Sequence, residues 1–320
     1  MANVARARLA FPVAAAALFA FALVGATGAR AQETSYHLVE GWAQLPRGVD
    51  AWGQTIGVEI DTDGSLWVFH RCFAQICTGR DDVAPVLHYD PSGRLIGSWG
   101  QGMFLWPHGF HLDAEGNLWT TDARGADGEG HTVMKLSKNG DVLMTLGTPG
   151  VAGAGEDTFD GPADVLVAPD GSIFVADGHG NDRVVKFSAD GEYLMEWGTE
   201  GSDYGQFNEP HTLGMDSRGR LFVGDRINQR IQVFDQNGRF LASWPAIMAS
   251  GMTITADDIV YVADYQLRQG IVIARASDFR EIGFIDNALG EGIAVDADRN
   301  AYVGEVIYRN LKKFVRRPTP

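Results

Sequence analysis

The run ADVLVAPDGSIFVADGHGNDRVVKFSADGEYLMEW, residues 163–197, decides the fold. It holds four apolar segments, Ala163–Ala168, Ile173–Asp177, Val184–Ser188 and Tyr193–Trp197, and two of the gaps between them carry Asp170-Gly171 and Asp190-Gly191. Short β-branched or alternating segments bounded by such turns read as strands. Glycine after aspartate takes the positive φ that a tight hairpin turn demands. The run is therefore a four-stranded antiparallel unit whose second strand ends in an acid and whose fourth ends in tryptophan.

The same phrase recurs along the chain. Second strands end at His70, Asp122, Asp177, Asp225, Asp264 and Glu305, preceded by Leu-Trp-Val-Phe, Leu-Trp-Thr-Thr, Ile-Phe-Val-Ala, Leu-Phe-Val-Gly, Val-Tyr-Val-Ala and Ala-Tyr-Val-Gly. Six copies at about 48 residues each match the blades of a propeller, four-stranded sheets set around an axis. The expected fold is all-β, a six-bladed β-propeller. The sixth copy stops at Lys312-Lys313-Phe314-Val315 without a tryptophan-ended strand, while Tyr36–Trp42 stands unpaired at the other end. An N-terminal strand closing the last blade accounts for both and leaves no bare sheet edge.

Ahead of the repeats, Arg6 and Arg8, the apolar run Leu9–Val24 and the small-residue site Ala29-Arg30-Ala31 read as a signal peptide over residues 1–31, cut before Gln32. Residues 32–320 are then one propeller domain, and no further apolar run is long enough to span a bilayer. The expected location is periplasmic or secreted. Removing residues 1–31 takes away three arginines and no acids, leaving 23 basic and 41 acidic side chains and a formal net charge of −18. Such a surface repels phosphate backbones, which excludes nucleic acid as a partner class. Cys72 and Cys77 are the two cysteines, and in an oxidising compartment they are expected to form a local loop disulfide.

Counting back 14 residues from each second-strand end gives Ile56, His108, Ala163, His211, Ser250 and Glu291 at the start of each innermost strand. Alternate blades of a sixfold ring are related by threefold rotation, so His108, His211 and Glu291 are placed to converge on the axis. Two imidazoles and a carboxylate suit zinc with a position left open, or another divalent transition metal. The plainer reading has both histidines following proline at a strand entry and bonding to backbone. The strand-ending acids Asp122, Asp177, Asp225 and Asp264 are read as loop braces accepting backbone N–H groups.

Phe69-His70-Arg71, Pro107-His108-Gly109, Asp177-Gly178-His179-Gly180-Asn181 and Pro210-His211 resemble the peptidyl-α-hydroxyglycine α-amidating lyases, zinc propellers of the NHL-repeat type. The resemblance implies C–N cleavage of a C-terminal hydroxyglycine to peptide amide and glyoxylate, with His108 and His211 on zinc and Arg71 engaging the substrate carboxylate. It departs at three places: the family's third zinc histidine aligns with Glu291, its calcium aspartate with Gly292 and its catalytic tyrosine with His179. A histidine's reference pKa lies closer to neutrality than a tyrosine's, so His179 is expected to move protons, or else to be a plain loop histidine between glycines. Val58 and Phe110 match backbone carbonyls offered to calcium, but Gly292 removes the carboxylate, which argues against that ion. Two other classes stand beside a metal-dependent lyase acting on a small molecule or a peptide C-terminus: a non-catalytic NHL-repeat propeller that binds a partner, and a lactonase-like hydrolase with Asp164 adding an oxygen at the mouth.

Overall fold

The computed structural model describes residues 36–317; the signal-peptide reading of residues 1–31 lies outside them. The described residues form 24 strands in six four-stranded antiparallel sheets, the blades of a six-bladed β-propeller. The blade that announced the fold has strands Pro162–Val167, Ile173–Asp177, Arg183–Phe187 and Tyr193–Trp197, within a residue of the expected ones. Gly171 and Gly191 hold φ of 85° and 84° at its hairpins, as Asp-Gly turns require. Blades 5 and 6 make the corresponding first turn with Asp258 and Arg299 at φ of 62° and 68°, so the glycine signal fades there although the turn does not. Among the described residues no helix is long and apolar enough to cross a membrane.

Burial follows strand position. The fourth strands of blades 1 and 3 alternate between half-buried and exposed, because one face looks outward. The second strands Leu66–His70, Ile173–Asp177, Leu221–Asp225 and Ala301–Glu305 are buried at every residue because each blade is covered on both faces by its neighbours. Three residues before each strand end stands an aromatic ring, Trp67, Trp119, Phe174, Phe222, Tyr261 or Tyr302, none more than 5% exposed. These rings anchor apolar clusters between neighbouring blades: Phe174 and Ala176 of blade 3 pack on Leu213 and Val223 of blade 4, and Ala294 and Tyr302 of blade 6 pack on Val58 and Leu66 of blade 1. Truncating one such ring costs about 3–5 kcal/mol.

Tyr36–Val39 pairs antiparallel with Asn310–Arg316, Tyr36 opposite Arg316 and Val39 opposite Lys313, and supplies the outer strand of the last blade. Tyr36 and Leu38 pack into the cluster shared by blades 5 and 6. Cys72 and Cys77 are joined in a disulfide, which staples the loop that follows the second strand of blade 1. Deleting residues 36–42 is expected to cost about 3 kcal/mol or more from lost burial, lowering the midpoint of a single cooperative transition by roughly 5–10 °C in calorimetry. An unchanged midpoint, or a separate early transition confined to one blade, would show that ring stability does not depend on this strand.

Candidate metal centre at the channel mouth

In each blade the pairing between first and second strands slips at one place: between Thr55 and Gly57, Pro107 and Phe110, Pro162 and Asp164, Pro210 and Thr212, Ala249 and Met252, and Gly290 and Gly292. These slips fall on Ile56, His108, Ala163, His211, Ser250 and Glu291, the ring read from the sequence. A bulge turns its extra residue out of the ladder, and all six residues line the central channel. The site therefore exists because the innermost strands are irregular at one shared position.

His108 Nδ1 lies 2.7 Å from the carbonyl of Ala163 and His211 Nδ1 lies 2.8 Å from that of Ser250, in each case on the next blade. A carbonyl only accepts, so Nδ1 carries the proton and the lone pair of each neutral ring sits on Nε2, toward the axis. Burial first, and then nearby imidazole or guanidinium charge, holds both histidines well below the ordinary range. Glu291 Oε1 stands 3.7 Å from His108 Nε2 and 3.4 Å from His211 Nε2, so the three alternating residues do meet. Oε2 of Glu291 is buried without a hydrogen bond.

His179 comes from blade 3, whose ring residue is the small Ala163. Its Nε2 is 2.8 Å from His108 Nε2 and its Nδ1 is 2.9 Å from Glu209 Oε1. One ring nitrogen each of His108, His179 and His211 lies within 4.8 Å of the others. The flanking glycine is required: a Cβ at Gly178 would stand 1.9 Å from the Pro210 carbonyl. Burial raises the pKa of Glu209, but the His179 hydrogen bond and the Arg226 charge outweigh it and hold the carboxylate below its usual range.

Around this cluster the mouth is cationic and aromatic. Arg71 donates from Nε to the Pro107 carbonyl at 2.9 Å and from Nη1 to Gln54 Oε1 at 2.6 Å, and its guanidinium lies 3.8 Å from the Trp106 ring centroid. Arg124 also covers Trp106, at 4.2 Å. Trp106 itself packs against both His108 and His179. Arg226 donates from Nη1 to His211 Nε2 at 2.9 Å and from Nη2 to Glu209. Tyr265 closes the cage beside Glu291; burial and then the carboxylate charge push its phenol far above the ordinary range.

The remaining sequence candidates take structural places. His70 accepts the N–H of Phe73 at Nδ1 and makes no hydrogen bond to Arg71, so it fills the turn position held by acids elsewhere. Asp122, Asp177 and Asp225 accept backbone N–H groups of Trp106, Asp160 and Asn208, each in the loop leading into its own first strand. Asp164 braces blade 3 to blade 4 by accepting the N–H of Leu213 at 2.8 Å. Val58 and Phe110 lie in the channel wall, and a Cβ at Gly292 would already stand 2.8 Å from Gly57 Cα. A calcium-binding side chain therefore has no room at that position without a backbone shift.

Sequence reasoning missed Arg226, Tyr265, Glu209, Trp106 and Arg124. Two signals would have found most of them. Arg71, Arg226 and Tyr265 each follow a second-strand end by one residue, and Trp106 and Glu209 each precede a Pro-His pair. Arg124 rides on an extension of the blade 2 hairpin, whose strands Leu118–Ala126 and Glu129–Leu136 turn at Asp127-Gly128.

Residues 207–234 match the NHL repeat. The chain is 31% identical over 309 residues to human NHL repeat-containing protein 3, covering 89% of this chain and 86% of the relative. It is 30% identical to a probable peptidyl-alpha-hydroxyglycine alpha-amidating lyase of Caenorhabditis elegans, covering 72% of this chain and 69% of that one. Among solved structures, a gluconolactonase from Xanthomonas campestris superposes with a TM-score of 0.62 at 14% identity over 84% of this chain and 88% of that one, a likeness of fold alone. On repeat, ring and relatives together, the chain belongs to the NHL-repeat β-propeller family that includes NHL repeat-containing protein 3 and the peptidyl-α-hydroxyglycine α-amidating lyases.

Proposed function

We propose that this propeller is an exported, metal-dependent lyase that cleaves the C–N bond of an α-hydroxyglycine at a peptide C-terminus or in a small-molecule counterpart, releasing an amide and glyoxylate. The observation that carries this reading is the convergence of His108, His211 and Glu291 on the axis beneath an arginine-rimmed mouth. The donor set fits a divalent transition metal, zinc among them: neutral imidazoles locked by Nδ1 hydrogen bonds present Nε2 lone pairs beside a carboxylate oxygen. Arg226 now donates to His211 Nε2, so it must retract toward Glu209, which already holds its other amino group, for that nitrogen to ligate. A divalent ion held there supplies positive charge that eases loss of a proton from the substrate hydroxyl.

The protein's own groups cover the rest of the reaction. Arg71, fixed by Pro107 and Gln54 and stacked on Trp106, meets the substrate carboxylate with its remaining donors, and Arg124 adds charge at the rim. Glu291 Oε2, buried without a hydrogen bond, is placed to accept the hydroxyl proton. As the C–N bond breaks, its electron pair goes to the amide nitrogen and the hydroxyl carbon becomes the aldehyde of glyoxylate. Tyr265 keeps its proton when buried beside Glu291 and donates it to that nitrogen, then regains one from the carboxylate. Export is supported by the Cys72–Cys77 disulfide, a bond kept in oxidising compartments. A non-catalytic binding propeller is the second reading, favoured by the long match to a relative named for its repeat alone.

Purified protein is expected to carry close to one transition-metal ion per chain by elemental analysis and to release glyoxylate from a benzoyl- or peptidyl-α-hydroxyglycine. His108→Ala and Glu291→Ala should both lose the ion, and turnover should fall by about a thousandfold or more. Metal-free protein, or full glyoxylate release by His108→Ala, would leave the binding reading in place. In steady-state kinetics Arg71→Ala should raise KM by about ten- to a hundredfold with a smaller change in kcat, as expected for a lost carboxylate contact. An unchanged KM would remove Arg71 from the substrate site.

A further inference from the structure

We infer that His179 is a ligand of the same ion, so that the centre has three imidazoles and one carboxylate, contributed by blades 2, 3, 4 and 6. The inference rests on the metal reading above and concerns what His179 does within it. The sequence position suggests a group that moves protons, but both nitrogens of the ring are already committed, Nδ1 to Glu209 and Nε2 toward His108.

Glu209 also accepts from Arg226 and acts as a carboxylate, so the His179 proton belongs on Nδ1. His108 likewise carries its proton on Nδ1, against the Ala163 carbonyl. Two neutral rings so arranged aim bare Nε2 lone pairs at each other across 2.8 Å. That is repulsive unless a cation serves both, either a proton on His179 or a metal ion. A proton would satisfy the pair alone. The third Nε2, from His211, lies within 4.8 Å of the other two, and Glu291 Oε1 stands 3.4 Å from His211 and 3.7 Å from His108. Three imidazole nitrogens within 4.8 Å of one another, with a carboxylate oxygen beside two of them, match a metal ion better than a shared proton.

The surroundings hold His179 in that place. Gly178 is pressed against the Pro210 carbonyl, Gly180 against Asp160, and the His179 N–H donates to the Gly161 carbonyl at 3.1 Å. Glu209 fixes the ring through Nδ1 much as the Ala163 and Ser250 carbonyls fix the other two. Metal-bound histidines are characteristically tied down in this way through the second nitrogen. Four protein donors would fill a tetrahedral zinc ion. A centre of this kind that also takes substrate favours an ion accepting five or six ligands, such as iron or manganese.

The test uses the whole mature protein loaded with cadmium, with nitrogen-labelled histidine read by NMR. One-bond cadmium–nitrogen coupling to three histidine Nε2 atoms is expected, and His179→Ala should weaken zinc binding in a chelator competition by about a hundredfold or more, since loss of an outer partner alone costs 10- to 100-fold. Coupling to two imidazoles, with His179→Ala binding zinc as tightly as the parent while His108→Ala does not, would overturn the inference and leave the metal reading standing. No binding of either ion by the parent protein would remove both.

Discussion

Everything at the axis depends on one irregularity repeated six times, the bulge that turns the second residue of each innermost strand out of its ladder. A regular strand would alternate its side chains between the two faces of the blade and point none of them squarely down the channel. The bulge also brings neighbouring strands close. The residue after the ring position is glycine at 57, 109, 251 and 292, and a Cβ at each would stand within 3 Å of the adjacent strand, as close as 2.2 Å at Gly57 and Gly251. Side chains rooted on strands this near can reach a common point with short arms. Histidine and glutamate suffice where a wider barrel would need lysine or arginine.

The same closeness ties the chemistry to ring closure. The hydrogen bond that orients His108 comes from blade 3, and the one that orients His211 comes from blade 5. Ser250 in turn donates from its hydroxyl to the Gly290 carbonyl of blade 6 at 2.8 Å. At these three interfaces the following blade sets the ring side chain of the one before it. Spreading the interface behind His108 or His211 would change the aim of that imidazole before it exposed much core. Closure through Tyr36–Val39 matters to the site for this reason, although that strand lies on the outer wall.

The fold was legible because its determinants are local and repeated: Asp-Gly turns and an aromatic three residues before each second-strand end. The ring was legible for a related reason. The bulge falls at the same count in every copy, so counting from His70, Asp122, Asp177, Asp225, Asp264 and Glu305 reached six channel residues without knowledge of any contact. What lay beyond counting was set by partners distant in sequence. Glu209 matters because it meets His179 and Arg226, and Trp106 because Arg71 and Arg124 cover it. Arg71 carries a fork in the sequence, but only the fold shows that Pro107 and Gln54 occupy two of its nitrogens. His70 looked like a neighbour for Arg71, yet its ring turns back to the Phe73 N–H, because the chain reverses there through positive φ at Cys72 and Phe73.

The departures from the lyase pattern make chemical sense when read as a pair. Glutamate at 291 removes an imidazole from the ring, and histidine at 179 brings an imidazole to the same point from the loop of blade 3. The count of imidazoles near the axis is three either way, with a carboxylate added. An added carboxylate lowers the net positive charge of a bound divalent ion, and by itself that would weaken the pull on an anionic substrate. Arg71, Arg124 and Arg226 stand around the same mouth, with Arg71 buried and Arg226 partly so. Charge withdrawn from a metal held at the centre would thereby be offset by charge fixed at its rim. In the proposed reaction the rim would act on the carboxylate of the substrate and the centre on its hydroxyl. On that proposal Glu291 would temper an ion without loosening the anion, because the two tasks would fall to different residues.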